Sequence, residues 1–191
     1  MDLVFATHNA NKLKEVSLLL PKSIRLISLK ELGCNEEIPE TESTLEANAQ
    51  LKADYITHHY GISCFADDTG LIIDALNGAP GVHSARFAGE KKDSKKNMEK
   101  VLFELKDITS RTARFKTAIA LNLDKKRILF EGVVEGTITK EKKGDEGFGY
   151  DPIFIPNGYD LTFAQLPIQV KNEISHRGKA LQKLIAYLTN H

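Results

Sequence analysis

The segment ARFKTAIALNL, residues 113 to 123, and the segment RILFEGVVEGTIT, residues 127 to 139, both alternate in polarity and are joined by only three residues. Phe115, Thr117, Ile119, Leu121 and Leu123 share one face of the first run. A period of two on either side of a turn at Asp124 to Lys126 predicts a long antiparallel hairpin. An isolated hairpin is marginal in water, so this one needs further strands and a covering layer. The N-terminus offers both. LVFAT, residues 3 to 7, is a short apolar run, and from Asn11 onward Leu13, Val16, Leu19 and Leu20 recur at helical spacing. Strand, loop and helix in that order suit a parallel pairing. A parallel start followed by an antiparallel hairpin predicts a mixed α/β fold, a central mixed sheet flanked by helices.

Between these parts, RLISL at 25 to 29 predicts another strand, and Pro39 keeps the acidic stretch NEEIPETEST from being helical. Ser43 with Glu46 has the form of a capping box, and Leu45, Ala49, Ala53, Ile56 and Tyr60 then follow at helical spacing for about four turns. ISCFAD and LIIDAL form two apolar runs split by Asp67, Asp68, Thr69 and Gly70. The loop NGAPGVHSARFAG is long enough to be functional. Met98, Val101, Leu102 and Leu105 mark a helix, GDEGFGYDP a glycine-rich loop, IFIP a strand, and Leu181, Leu184, Ile185 and Leu188 a terminal helix after an irregular stretch. With no repeat and no linker, the 191 residues are expected to form a single domain, 1–191.

Composition removes several function classes. No stretch approaches the ~20 apolar residues of a membrane span, so no membrane partner is expected. The opening MDLVFATHNANK has neither a basic nor a long apolar leader region, which predicts a cytoplasmic protein. Twenty-six basic residues balance 26 acidic ones. That balance argues against binding nucleic acid by neutralising its phosphates, while leaving room for a small anion. Cys34 and Cys64 lack metal-ligand or CxxC spacing and are expected to be packed, reduced thiols.

Two helix starts carry charge of the unexpected sign. Lys12 and Lys14 fall in the opening turn of the first helix, and His176, Arg177 and Lys179 in that of the last. Cations there oppose the helix dipole by ~0.3–1 kcal/mol each unless an anion sits at the helix end. Solvated surface cations are the alternative. Asp67 and Asp68 supply the complement to a phosphate, because magnesium is commonly held by one or two carboxylates plus phosphate oxygens. Neighbouring strand residues point to opposite faces, so one of the pair reaches a given metal while the other orients a loop or a base. Glu36, Glu37, Glu40 and Glu42 lie in the acidic stretch as further oxygen donors. In GFGYDPIF, Phe148 between two glycines suits stacking on a flat ring, or capping of the core beneath a turn. There is no GxxxxGK[ST], GxGxxG or GxSxG motif. The residues alone therefore point to a magnesium-dependent enzyme acting on a small phosphorylated, planar ligand.

The ordered series ATHNANK, PETESTLEANAQLKA, ADDTGL, GAPGVHSARFAG, GFGYDPIF and KNEISHRGKAL resembles the Ham1 or inosine triphosphatase family, from residue 6 to residue 181. The resemblance implies an elongated two-lobed fold with a nucleotide cleft between the lobes, and a homodimer. It also implies hydrolysis of ITP, dITP or XTP at the α-phosphorus to monophosphate and pyrophosphate, which clears deaminated purines from the nucleotide pool. By the same resemblance, Thr7, His8, Asn9, Ala10, Asn11 and Lys12 form the triphosphate-binding loop and helix start. Glu40 and Asp68 become the ligands of Mg2+, with Mn2+ as a substitute. Asp68 also accepts the proton of the attacking water, and Lys52 neutralises phosphate. Thr69 stands where the family commonly has Ser. Phe148 stacks on the purine beside Gly149 and Tyr150, while Asp151, Lys171, His176 and Arg177 bind the base and the neighbouring sugar or phosphate.

A 6-oxo purine offers an acceptor at O6 and a donor at N1, so a cation such as Arg177 and a carboxylate such as Asp151 would favour it over adenine. His8 and Asn11 stand where the family often has Gly, Glu42 replaces a frequent Gly, and His83 a frequent Tyr. A nucleotide sensor without turnover and a pyrophosphatase for pyrimidine or modified nucleotides are the competing readings. Retention of Glu40, Asp68, Lys12 and Lys52 together speaks against the sensor.

Overall fold

A computed structural model describes residues 1–190. The order along the chain is β1 (Asp2–Phe5), α1 (Ala10–Leu19), β2 (Arg25–Ser28), α2 (Leu29–Leu32), α3 (Leu45–Tyr60), β3 (Cys64–Ile73), β4 (Pro80–Gly81), α4 (Ser94–Glu104), β5 (Thr112–Leu123), β6 (Lys126–Ile138), β7 (Phe154–Pro156), α5 (Ile168–Ile174) and α6 (His176–Thr189). The strands form one sheet in the order β2-β1-β3-β5-β6-β7, with β4 paired to β3. β1 lies parallel to β2 and β3, with Val4 opposite both Ile27 and Cys64. β3 with β4 and β6 with β7 are antiparallel. The expected mixed α/β architecture is therefore present.

The chain divides into two compact units. The first comprises Met1–Asp68, Thr117–Gly132 and the chain from Arg177 onward. Phe5 and Phe65, opposite one another in the parallel pair, stack with centroids 4.5 Å apart. They join Leu3, Ile119 and Leu121 of the sheet to Val16 of α1 and to Ala180, Leu181 and Leu184 of α6. The other face of this part of the sheet meets α3. Asn122 of β5 donates to Asp54 Oδ1 of α3 at 2.8 Å and accepts from Gln50 Nε2 at 2.9 Å. Odd and even residues of a strand face opposite sides, so Phe65 and Asp67 turn toward α1 and α6, and Ala66 and Asp68 toward α3.

The second unit comprises Thr69–Lys116 and Val133–His176. Its core packs Leu71 and Ile73 of β3, Ala113 and Phe115 of β5, and Val134 and Ile138 of β6 against Met98 and Val101 of α4 and against Ile153, Phe154 and Phe163. Both cysteines are free and buried.

Several local expectations need correction. Residues 67 to 70 do not break the third strand: β3 runs unbroken from Cys64 to Ile73. The two carboxylates are tolerated inside it because buried cations meet them. The cap of α3 is Thr44, whose hydroxyl accepts from the Ala47 N–H at 3.1 Å. Ser43 with Glu46 is therefore one residue out of register for a capping box. A capping box does close α2, where Ser28 and Glu31 satisfy each other's backbone donors. That helix starts at Leu29, the last residue of the expected strand 25 to 29, and runs on where no element is expected. α5 occupies the stretch expected to be irregular, a short 3₁₀ turn at Asp74–Leu76 ends the LIIDAL run, and β4 with a second at Ser84–Arg86 orders the long loop. The hairpin turn is Asp124–Lys125, both residues left-handed with φ of 49° and 64°. That geometry matches the twist of a tight hairpin.

Candidate active site

In the first unit, Asn9 caps α1. Its Oδ1 accepts from the N–H groups of Asn11 at 3.0 Å and Lys12 at 3.2 Å, while Thr7 Oγ1 accepts from the Asn9 N–H at 3.2 Å. These bonds shape the turn between β1 and α1 and aim Lys12 back at the sheet. Lys12 Nζ meets Asp67 Oδ1 at 2.9 Å. The other oxygen of Asp67 accepts from Arg177 Nε at 3.0 Å, and Arg177 Nη1 donates to Glu15 Oε2 at 2.6 Å. The four residues form an alternating chain, Lys12, Asp67, Arg177, Glu15, in which Asp67 is 1% and Arg177 3% exposed.

This chain accounts for the two helix starts of unexpected charge. Lys12 and Arg177 turn inward onto protein carboxylates, whereas Lys14 and Lys179 are exposed. Glu15, one turn beyond Lys12 on the same helix, was absent from the sequence-based site. Its only signal was a carboxylate at helical spacing from Lys12, which is half-buried.

On the opposite face, Lys52 of α3 donates to Glu40 Oε1 at 2.6 Å and lies 3.6 Å from Asp68 Oδ1. Asp68 is 6% exposed, and its Oδ2 is buried with no hydrogen-bond partner among the described residues. A buried carboxylate oxygen left in that state costs free energy unless a ligand, water or cation completes it.

The two aspartates are thus pushed in opposite directions. Burial alone would raise Asp67, but the charges of Lys12, Arg177 and Lys52 outweigh it and hold the carboxyl well below its usual range. Burial raises Asp68, helped by Glu40 and Asp67, and the charges of Lys52 and Lys12 only partly offset it. Burial works against the charged form of Lys52 too, yet Asp68 and Glu40 carry it above its ordinary value. Lys12 goes the other way: burial, with Lys52 and Arg177 nearby, lowers it despite Asp67. Asp67 is therefore a fixed anion holding two cations together, and Asp68 is the more basic carboxylate, with one oxygen open.

In the second unit, Asp151 Oδ2 accepts from Lys171 Nζ at 2.6 Å and from the Phe148 N–H at 2.8 Å. The Lys171 ammonium lies 5.0 Å from the centroid of the Phe148 ring. Gly147, at φ +76°, leaves room for this carboxylate, since a Cβ there would run into Asp151 Oδ2. Tyr150 donates its hydroxyl to the Ser84 carbonyl at 2.7 Å, and His176 stacks on Phe115 at 4.6 Å. Phe148, Asp151 and Lys171 are thus brought together locally, with Gly149 and Tyr150 between them in sequence, while His176 lies against Phe115. Thr69 opens the second unit in mid-strand.

The third strand of this mixed α/β fold thus holds one carboxylate between two cations and another half-satisfied beside a lysine. The family profile described as "Ham1 family" matches residues 3–187. The chain belongs to the Ham1 family. It is 56% identical over 189 residues to the dITP/XTP pyrophosphatase of Flavobacterium johnsoniae, covering 99% of this chain and 98% of that one. It is 49% identical over 187 residues to the protein of the same name from Bacillus subtilis, covering 96% and 94%. Among solved structures, a HAM1 protein from Coxiella burnetii superposes with a TM-score of 0.91 at 41% identity over 100% of both chains. The Staphylococcus aureus Ham1 protein gives 0.90 at 39% identity, covering 100% of this chain and 99% of that one.

Proposed function

We propose that this chain hydrolyses ITP, dITP and XTP at the α-phosphorus, releasing the nucleoside monophosphate and pyrophosphate. The observation that carries the reading is the buried, unsatisfied Oδ2 of Asp68 beside the Lys52–Glu40 pair. Full-length relatives named dITP/XTP pyrophosphatase supply the substrate class.

Among the described residues no three His, Cys, Asp or Glu side chains group as a metal cage. Mg2+ asks for less, one or two carboxylates with the rest of its shell from phosphate and water. The open oxygen of Asp68 and the nearby carboxylate of Glu40 fit that demand. Once bound there, Mg2+ or a substituting Mn2+ would supply charge neutralisation at the phosphate oxygens.

The chain's own residues do the rest. Lys12, held by Asp67, and Lys52, held by Glu40, neutralise the triphosphate. Asp68 takes a proton from water as its oxygen bonds to the α-phosphorus and the bond to the bridging oxygen of pyrophosphate breaks. The upward push on Asp68 brings its basicity closer to working pH, as a general base requires. Thr7, His8, Asn9, Ala10 and Asn11 shape the phosphate loop. Phe148, Gly149, Tyr150, Asp151, Lys171, His176 and Arg177 are assigned to the 6-oxo base and its sugar, and Thr69 to the substrate. We further assign the chain to a cytoplasmic homodimer built from one 1–191 domain; no described helix is long and apolar enough to cross a membrane.

Incubation with ITP, XTP, dITP, ATP and GTP, with and without chelator, tests this by phosphorus NMR of the products. Pyrophosphate from the 6-oxo substrates, lost with chelator, is expected. Binding without turnover would replace the reading with a nucleotide sensor.

A further inference from the structure

The acidic loop that carries Glu40, residues 33 to 44, is fastened to α3 at three points. Tyr55 donates its hydroxyl to the Glu36 carboxylate, Lys52 donates to Glu40 at 2.6 Å, and Asn48 bonds both backbone groups of Glu42, accepting from its N–H at 2.9 Å and donating to its carbonyl at 3.3 Å. A fourth fastening comes from elsewhere. His8, in the turn between β1 and α1, places its Nε2 2.8 Å from the Glu36 carbonyl. A carbonyl only accepts, so the ring must donate through Nε2–H.

Glu36 is thus gripped twice, its carbonyl from the phosphate loop and its carboxylate from α3. His8 lies four residues from Lys12 and Glu36 four residues from Glu40, so this bond links the loop carrying the phosphate lysine to the loop carrying an assigned metal ligand. Both loops belong to the first unit.

We propose that His8 is a positioning residue: its Nε2–H bond to the Glu36 carbonyl ties the phosphate loop to the acidic loop and sets where Glu40 stands. This rests on the function proposed above. His8 touches none of the reacting atoms in this account. Its effect falls on the metal concentration that turnover requires, more than on the rate at saturation.

His8→Ala removes the donor, and His8 is not among the residues with positive φ, so the substitution brings no left-handed backbone strain. His8→Gln keeps an N–H donor at similar reach. Hydrogen exchange of the peptide spanning residues 33 to 44, measured without metal or nucleotide, should quicken about two- to tenfold in His8→Ala and stay near wild type in His8→Gln, the range expected for one hydrogen bond. With ITP, the magnesium concentration for half-maximal turnover should rise by a similar factor in His8→Ala, with the smaller change in kcat, and recover in His8→Gln. Unchanged exchange in His8→Ala overturns the proposal. A fall in kcat at a fixed magnesium midpoint also overturns it, because it would put His8 at the reacting phosphate. If the wild-type protein turns over no ITP, the functional reading fails while the exchange measurement still decides whether His8 ties the loops.

Discussion

Replacing Arg177 with Met tests the buried charge chain most severely. The substitution keeps an apolar stem of similar length but removes the group that donates to Asp67 and Glu15. Asp67 retains Lys12 at 2.9 Å. Glu15 loses a charge-assisted hydrogen bond at a site 6% exposed. Breaking a buried pair on one side costs about 3–5 kcal/mol. Glu15, short of that cation, can take a proton instead, which at pH 7 costs ~3.7 kcal/mol for a glutamate of ordinary pKa and so limits the electrostatic penalty. The expected loss is therefore about 3–4 kcal/mol at pH 7, a fall in Tm of roughly 6–16 °C for a chain of this size.

The sign with pH follows. At pH 5 the same proton costs only ~1 kcal/mol, so the gap between wild type and Arg177→Met should narrow as pH falls from 7 to 5. Urea unfolding at both pH values measures it. A difference below ~1 kcal/mol at pH 7, or one that widens on acidification, would refute the reasoning. In the folded variant, the ratio of kcat/KM for ITP to that for ATP separately tests the assignment of Arg177 to the base. An unchanged ratio removes that assignment.

Gly147→Ala should destabilise by about 2–4 kcal/mol and raise KM, because its Cβ would displace the carboxylate held by Lys171. Gly149→Ala, at φ +63° with open space around the new Cβ, should cost only about 1–2 kcal/mol; equal losses in urea titrations would contradict this account of the loop. Thr44→Ala should lower stability by about 1 kcal/mol, read as a small drop in Tm, whereas Ser43→Ala should stay within ~0.5 kcal/mol. The reverse order would return the cap of α3 to Ser43.

The regular elements were legible wherever periodicity and burial agree. The hairpin, α1, α3, α4 and the apolar face of α6 were all readable from spacing. The unbroken course of β3 was not, because two adjacent carboxylates read locally as a turn and only partners distant in sequence make them tolerable. Lys12 is 55 positions from Asp67, and Arg177 is 110. For the same reason, spacing pointed to an external anion for the cations at the two helix starts without showing that Lys12 and Arg177 also meet Asp67 and Glu15. The separate duties of Asp67 and Asp68 were beyond the sequence as well. Alternation placed them on opposite faces, but which face held two cations and which left an oxygen open depends on how α1, α3 and α6 pack. The short α2 and α5 escaped notice because four and seven residues carry too little periodicity to stand out.

The central claim is that water, deprotonated at Asp68, attacks the α-phosphorus. Hydrolysis of ITP in water enriched in heavy oxygen, with the products weighed by mass spectrometry, tests it directly. The account predicts the label in IMP, unlabelled pyrophosphate, and loss of turnover by about two to four orders of magnitude in Asp68→Asn. Label in pyrophosphate, or release of orthophosphate, would place the attack at another phosphorus and contradict it.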